Sequence, residues 1–124
     1  MTAAATTTGD PLIHHLQAIV GAGHVLADAP SLLAYGRDRL PFGTFRIRAG
    51  RLPGTMPRLV ACPGTAEEVA RILALSARER FAVMPFGAGS GVLGGAIPVC
   101  NEVVIDVKRL NRLLSIDTIN GLEI

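Results

Sequence analysis

Aromatic residues make up only 4% of the chain, tryptophan is absent, and there are just two cysteines and a single lysine, Lys108. With so few rings, the core must be built from Leu, Ile, Val and Ala. So small a share of base-stacking aromatics argues against RNA or single-stranded DNA as a partner. Cys62 and Cys100, with no Cys-x-x-Cys, make neither a disulfide framework nor a zinc site. They read as buried thiols in a reducing compartment, so the expected location is cytoplasmic. No apolar run approaches the roughly 18 residues of a membrane-spanning helix. Residues 1–9, rich in Ala and Thr, lack the basic start and apolar stretch of a secretion signal and read as a disordered leader. A formal charge of +2 is too small to argue for a nucleic-acid or membrane partner.

What is present is globular: 49% hydrophobic and 18% charged residues in 124, the length of one ordinary domain. Asp10 is placed as an N-cap with Pro11 in the first helical position, and Leu12, Ile13, Leu16, Ile19 and Val20 follow helical spacing. Gly21 and Gly23 end that helix. A second short helix is expected over residues 30–35, with Asp28 near its start and Gly36 as a left-handed stop. Residues 37–57 show no period and read as an extended surface connection. Such length is unusual inside a compact domain, so the segment is either functional or packs on something outside this chain. Six arginines fall between Arg37 and Arg58, opposed there only by Asp38. They form either a solvated basic loop or a rim that attracts anions.

From Arg58 the pattern sharpens. Leu59-Val60-Ala61-Cys62 is an apolar strand ended by Pro63-Gly64. Thr65-Ala66-Glu67-Glu68 is a capping box, and Val69, Ile72, Leu73 and Ser76 mark one face of the helix that follows. Further strands are expected at residues 82–84, 102–106 and 114–117. Strand, helix, strand implies parallel pairing, and Val103-Val104-Ile105 suits a strand buried on both faces. The fold class is therefore α/β (α+β), a small parallel β-α-β sheet flanked by helices. His14 and His15 are adjacent and cannot share a helical face, so they do not form a metal site; they and His24 read as ordinary surface or partly buried residues. Asp106 and Asp117, each ending a strand, read as turn caps.

Five glycines crowd the nine residues from Gly87 to Gly95. Consecutive glycines can aim successive amides into one concavity with no Cβ in the way, which makes a cradle for phosphate. A Walker A loop is excluded, because Gly95-Ala96 occupy the positions of its Lys and Ser/Thr. Gly89-x-Gly91-x-x-Gly94 formally matches a dinucleotide fingerprint, but that motif needs a helix starting in the loop. Too few residues separate Gly94 from Glu102 for a crossover, which takes about a dozen or more. The remaining option is a helix-free loop whose amides alone hold a pyrophosphate.

Three blocks, PRLVACPGTAEEVARILALS, FAVMPFGAGSGVLGGAIP and VVIDVKRLNRLLSID, occur in the order and spacing of a known family. Over about half its length the chain resembles the FAD-binding domain of the vanillyl-alcohol oxidase and p-cresol methylhydroxylase superfamily. LLAYGRD further resembles the glycolate oxidase and D-lactate dehydrogenase branch. The resemblance implies that Pro85, Phe86, Gly87, Ala88, Gly89, Ser90 and Gly91 wrap the FAD pyrophosphate, with Gly94 and Gly95 close by and the Ser90 hydroxyl available to a phosphate oxygen. Many members carry Arg where Phe86 stands and Gly where Ala88 stands; Ala88 is tolerable only at negative φ. Some members attach flavin through a loop His. This loop has neither His nor Cys, so FAD is expected to be non-covalent.

The resemblance also divides the chain into residues 1–56 (leader, helices and basic loop) and 57–124, the first part of a p-cresol methylhydroxylase-type domain incomplete at its C-terminus. Ile124 would fall within a strand, so the chain is expected to be an N-terminal fragment, with a small-molecule substrate bound by a domain not in it. No catalytic residue is expected in these residues. Strands left without neighbours would favour homo-oligomers or aggregation. The implied function is the FAD-binding portion of a flavin-dependent oxidoreductase, a 2-hydroxy-acid dehydrogenase of the glycolate or D-lactate type. The alternatives are an alkylglycerone-phosphate synthase-like flavoenzyme and a non-catalytic fragment.

Overall fold

Two aspartates open the first two helices of the structure, a computed structural model that describes residues 9–51 and 54–123. Of the expected leader over residues 1–9, residues 1–8 lie outside the described residues, as does Ile124. Asp10 accepts from the Leu12 amide at 3.0 Å and caps α1 (Pro11–Val20). Leu12, Leu16 and Val20, four residues apart, are its buried face. Arg58 holds the same carboxylate from the entry to the sheet, with Nε at 2.6 Å and Nη2 at 2.9 Å. The Arg58 hydrogen bond is the main reason the Asp10 carboxyl sits below its ordinary pKa, outweighing burial. Asp28 likewise caps α2 (Ala29–Tyr35), accepting from the Ser31 amide at 2.9 Å.

Two expectations fail here. Gly36 ends α2 at a φ of −77°, not in the left-handed region. A Cβ there would lie 3.1 Å from the Met56 sulfur, so close packing is what this glycine allows. Residues 37–57 are not wholly extended either, since Pro41–Arg48 forms α3. Pro41 sits in the first turn, where its missing N–H costs nothing. The helix has no buried residue, and so shows no apolar period in the sequence.

The sheet begins with β1 (Val25–Leu26), a two-residue strand the sequence did not announce, antiparallel to β2 (Leu59–Ala61). α4 (Ala66–Glu79) leads from β2 to β3 (Val83–Phe86), and β4 (Val103–Asp106) lies between the two, parallel to both. The order is β1-β2-β4-β3. Central β4 is buried at every residue, as a strand covered on both faces should be. Side chains alternate between the faces. Leu59, Ala61, Val103 and Ile105 meet Leu12, Leu16 and Val20 of α1 with Ile72 and Leu75 of α4. Val60, Met84, Phe86 and Val104 meet Leu32 of α2. On α4 the inward pair is therefore Ile72 and Leu75, and Leu73, expected inside, is 46% exposed. Thr65 Oγ1 does accept from the Glu68 amide at 3.2 Å, but the Glu68 carboxylate accepts from the Gly64 amide, at 2.7 Å, closing the cap one residue earlier than a capping box. The expected strand at 114–117 narrows to β5 (Ile116–Asp117), which pairs with β6 (Leu122–Glu123) in a separate antiparallel hairpin instead of standing unpaired.

Candidate functional site: the glycine loop at the strand ends

Because β2, β3 and β4 run parallel, their carboxyl ends Ala61, Phe86 and Asp106 lie at one edge of the sheet. In open α/β sheets ligands bind outside this edge. The loop from β3 to β4, residues 87–102, contains no helix and no strand. A cradle for pyrophosphate must therefore come from the loop's own amides.

Only some of those amides are bonded within the protein, and those of Val92, Leu93, Gly95 and Ala96 meet no acceptor among the described residues. Gly94 donates to Asp38 Oδ2 at 2.9 Å and Ile97 to the Gly94 carbonyl at 3.1 Å. Val99 and Cys100 donate to the Glu102 carboxylate at 3.0 Å each. Burial pushes the Glu102 carboxyl up, but the amides bonded to it outweigh that and hold it below its ordinary range. The amides of Gly87, Ala88, Gly89, Ser90 and Gly91, by contrast, meet no acceptor among the described residues. Four of these five residues are exposed and Gly89 is half-buried. A row of unpaired donors at the loop surface is what an incoming anion would satisfy.

Gly89 has a φ of +63°, and a Cβ on it would lie 2.6 Å from Phe86 Cζ. Only glycine fits both the backbone and the ring beneath it. Ala88 does not take a left-handed φ, which meets the condition its methyl imposes. Phe86 is 6% exposed and belongs to the core cluster, so its ring supports the loop from below. Pro85 is an exposed residue of β3; Gly95 is exposed, and Gly94 is half-buried with its amide already bound to Asp38.

Beside the loop lies a hollow of about 250 Å³ lined by Tyr35, Arg37, Asp38, Arg39, Phe86, Ala88, Gly89 and Lys108, with Ala34 at its wall. Asp106 is a turn cap as expected, accepting from the Lys108 amide at 2.9 Å. It also takes the Tyr35 hydroxyl and, at 2.9 Å, Lys108 Nζ. Lys108 Nζ lies 4.8 Å from the Tyr35 ring centroid and 5.3 Å from that of Phe86. The Tyr35 and Phe86 rings meet edge to face at 4.8 Å. Burial and the bond to Asp106 push the Tyr35 phenol above its ordinary pKa. Burial alone would lower Lys108; its bonds to Asp106 and Tyr35 prevail and raise it.

Tyr35 and Asp38, within LLAYGRD, Lys108, within VVIDVKRLNRLLSID, and Arg39 are lining residues to which the sequence reading gave no individual role in binding; a further signal was Asp38 as the lone acid among six arginines. Of those arginines, Arg37 and Arg39 line the hollow, whereas Arg58 is spent on Asp10. The cysteines are not both buried: Cys62 is half-buried and Cys100 exposed. His14 and His15 are exposed and His24 half-buried; His15 Nδ1 lies 2.9 Å from Glu79. Among the described residues no cluster of His, Cys, Asp or Glu could hold a metal, and no helix is long and apolar enough to cross a membrane.

The parallel strands and the helix-free glycine loop define a dinucleotide-holding α/β domain. A family model described as an FAD binding domain matches residues 57–122, and the chain belongs to that family. D-2-hydroxyglutarate dehydrogenase of Xanthomonas citri pv. viticola is 31% identical over 111 residues, 90% of this chain and 21% of that protein. A solved structure of alkyldihydroxyacetonephosphate synthase superposes with a TM-score of 0.78 at 27% identity, covering 85% of this chain and 20% of its own. Substrate-bound p-cresol methylhydroxylase, at TM-score 0.68 and 21% identity over 85% of this chain and 19% of its own, shows the same fold. The chain spans 11% to 21% of the length of the curated relatives it matches. FAD is thus the cofactor of this domain, and the unpaired amides, open loop surface and compact Gly89 fit a diphosphate.

Proposed function

We propose that this chain forms the diphosphate-holding part of the FAD site in a flavin-dependent oxidoreductase that acts on a 2-hydroxy acid. The carrying observation is the unclaimed run of amides from Gly87 to Gly91 at the carboxyl end of the sheet. In this reading Gly87, Ala88, Gly89, Ser90 and Gly91 donate to phosphate oxygens, and the exposed Ser90 hydroxyl adds a donor. Pro85 and Phe86 hold the loop's root, while Gly94 and Gly95 let it turn back. FAD supplies the hydride acceptor. The chain's own residues bind and orient it, and groups that face the substrate belong to a domain outside this chain. The 31% identity to a D-2-hydroxyglutarate dehydrogenase supports the 2-hydroxy-acid class. Residues 57–124 then belong to the cofactor module, and the helices and basic loop of the 1–56 segment brace it.

FAD is held non-covalently, since residues 85–95 offer no His or Cys. Two free thiols suit a reducing compartment such as the cytoplasm. Leu114, Ile116 and Ile119 are each more than half exposed around the β5–β6 hairpin, which favours self-association. Titration of the chain with FAD, followed by quenching of flavin fluorescence, should saturate, and acid precipitation should release all the flavin. A chain that leaves FAD fluorescence unchanged overturns the reading.

A second reading, an alkyldihydroxyacetonephosphate synthase-like flavoenzyme, is favoured by the 0.78 superposition and by Arg37 and Arg39 at the hollow, which suit a phosphorylated substrate. Anaerobic bleaching of the flavin in the full-length protein by a 2-hydroxy acid supports the first reading. Absence of bleaching, with turnover of a phosphorylated substrate, supports the second.

A further inference from the structure

Asp38 is 3% exposed and lies ahead of the residues that match the family. A buried carboxylate is costly unless its oxygens are satisfied. Here Oδ1 accepts from the Leu40 amide at 2.8 Å and Oδ2 from the Gly94 amide at 2.9 Å. The next residue extends the grip, because the Arg39 amide donates to the Gly91 carbonyl at 2.9 Å. Two points of the glycine loop, Gly91 and Gly94, are thus pinned by a segment of distant sequence; Asp38 and Gly94 are 56 residues apart.

Donors preorganised around an anion bind it well only if they are fixed before it arrives. A glycine-rich loop with no helix has little stiffness of its own. We infer that Asp38 is a positioning residue for the flavin diphosphate: by holding Gly94, with Arg39 holding Gly91, it fixes the amides of residues 87–91 in their open arrangement. This rests on the FAD reading above. The sign of its effect separates it from simple electrostatics. A carboxylate near a diphosphate repels it, so neutralising Asp38 would tighten binding if charge alone mattered. If Asp38 acts through the loop, neutralising it weakens binding, because Asp38→Asn leaves one acceptor oxygen for the two amides of Leu40 and Gly94 and sets an N–H donor against the other, loosening the clamp between them.

The test uses amide hydrogen exchange and FAD titration on the wild-type chain and on D38N. In the wild type, the Gly94 amide should be protected without ligand, whereas the amides of residues 87–91 exchange freely and become protected only on adding FAD. In D38N, Gly94 exchange should rise about tenfold and FAD affinity fall about tenfold, with β2 and β4 protection unchanged. Asp10→Asn, which weakens the fold away from the loop, should lower the melting temperature and leave FAD affinity as it was. Equal or tighter FAD binding by D38N overturns the inference, as does an unprotected Gly94 amide in the wild type. That second readout decides the matter even if D38N does not fold. A wild-type chain that ignores FAD sinks the flavin reading separately, and the Gly94 exchange still judges the clamp.

Discussion

Replacing Gly89 with alanine loads two costs onto one new atom. The residue has a φ of +63°, and an L-residue held there costs about 1–2 kcal/mol. The added Cβ would sit 2.6 Å from Phe86 Cζ and 3.1 Å from Cε1. The ring has little room to retreat: it is 6% exposed, meets the Tyr35 ring edge to face, and has Lys108 above it. Forcing a methyl into such packing costs about 1–3 kcal/mol. Together the terms come to about 2–5 kcal/mol, a large share of the stability of a domain this size. At about 4 °C per kcal/mol, the melting temperature should fall by about 8 °C or more. Circular-dichroism melts and urea titrations would read this. Phe86→Leu in the same chain separates the terms, since F86L/G89A should recover the steric part and keep the backbone part, with a coupling of about 1–3 kcal/mol. A G89A protein that melts within about 2 °C of wild type, or a cycle with no coupling, would refute the claim that the ring fixes the loop.

Gly87 is the matched contrast: its φ is not left-handed and a Cβ would meet no protein atom within 4 Å, so Gly87→Ala should leave stability within about 0.5 kcal/mol. FAD titration of G87A should nevertheless show weaker binding if the methyl enters the phosphate cradle; unchanged affinity removes Gly87 from the site. Arg58→Met should cost about 1–3 kcal/mol near pH 7, because Asp10 is left nearly buried without its cation. Arg58 lowers the Asp10 pKa, so the stabilisation is complete above the unfolded value near 4 and fades as pH falls through the lower native value. Urea titrations should therefore show the R58M and wild-type curves converging in acid, and a gap that widens there contradicts the pairing. Tyr35 is the only tyrosine, and there is no tryptophan, so ultraviolet titration in alkali reads it alone. Its midpoint in the folded chain should lie above the ordinary value, about 10, and return there in urea. The stability tied to the neutral phenol is full below that value and lost as pH rises through the native one; Tyr35→Phe should abolish this component.

The parts of the fold that could be read from sequence are those where one residue type has one dominant use. Asp10 before Pro11, Asp28 before Ala29-Pro30 and Thr65 before Ala66 announce helix starts, and all three cap as expected. Val103-Val104-Ile105 announces a strand covered on both faces. The absence of a helix after the glycine loop follows from counting residues up to Glu102. What stayed hidden depends on distant partners or on none. α3 buries nothing, so no apolar rhythm marks it. β1 is two residues long and exists because β2 offers it an edge. Leu75 rather than Leu73 turns inward because α1 and the sheet set the helix's rotation, which spacing alone leaves free. Asp38 looked like one acid among arginines, and only the fold brings it to Gly94.

Three buried carboxylates surround a loop that is to receive a diphosphate, and their charge taken alone would repel it. Asp38, Glu102 and Asp106 are 3%, 7% and 4% exposed. Each is balanced close at hand: Asp38 by two amides, Glu102 by the amides of Val99 and Cys100, and Asp106 by Lys108 and the Tyr35 hydroxyl. Asp38 and Glu102 take up the amides of Gly94, Val99 and Cys100 and so fix the loop's path, while the amides of residues 87–91 remain among the donors still in need of a partner. Arg37 and Arg39 then add positive charge at the rim. Within this arrangement Phe86 is more useful than a cation at the same position. Its side chain points into the cluster with Leu32, Val60, Met84 and Val104, where a charge would be buried at a cost, and its ring holds Gly89 in the one conformation the loop needs.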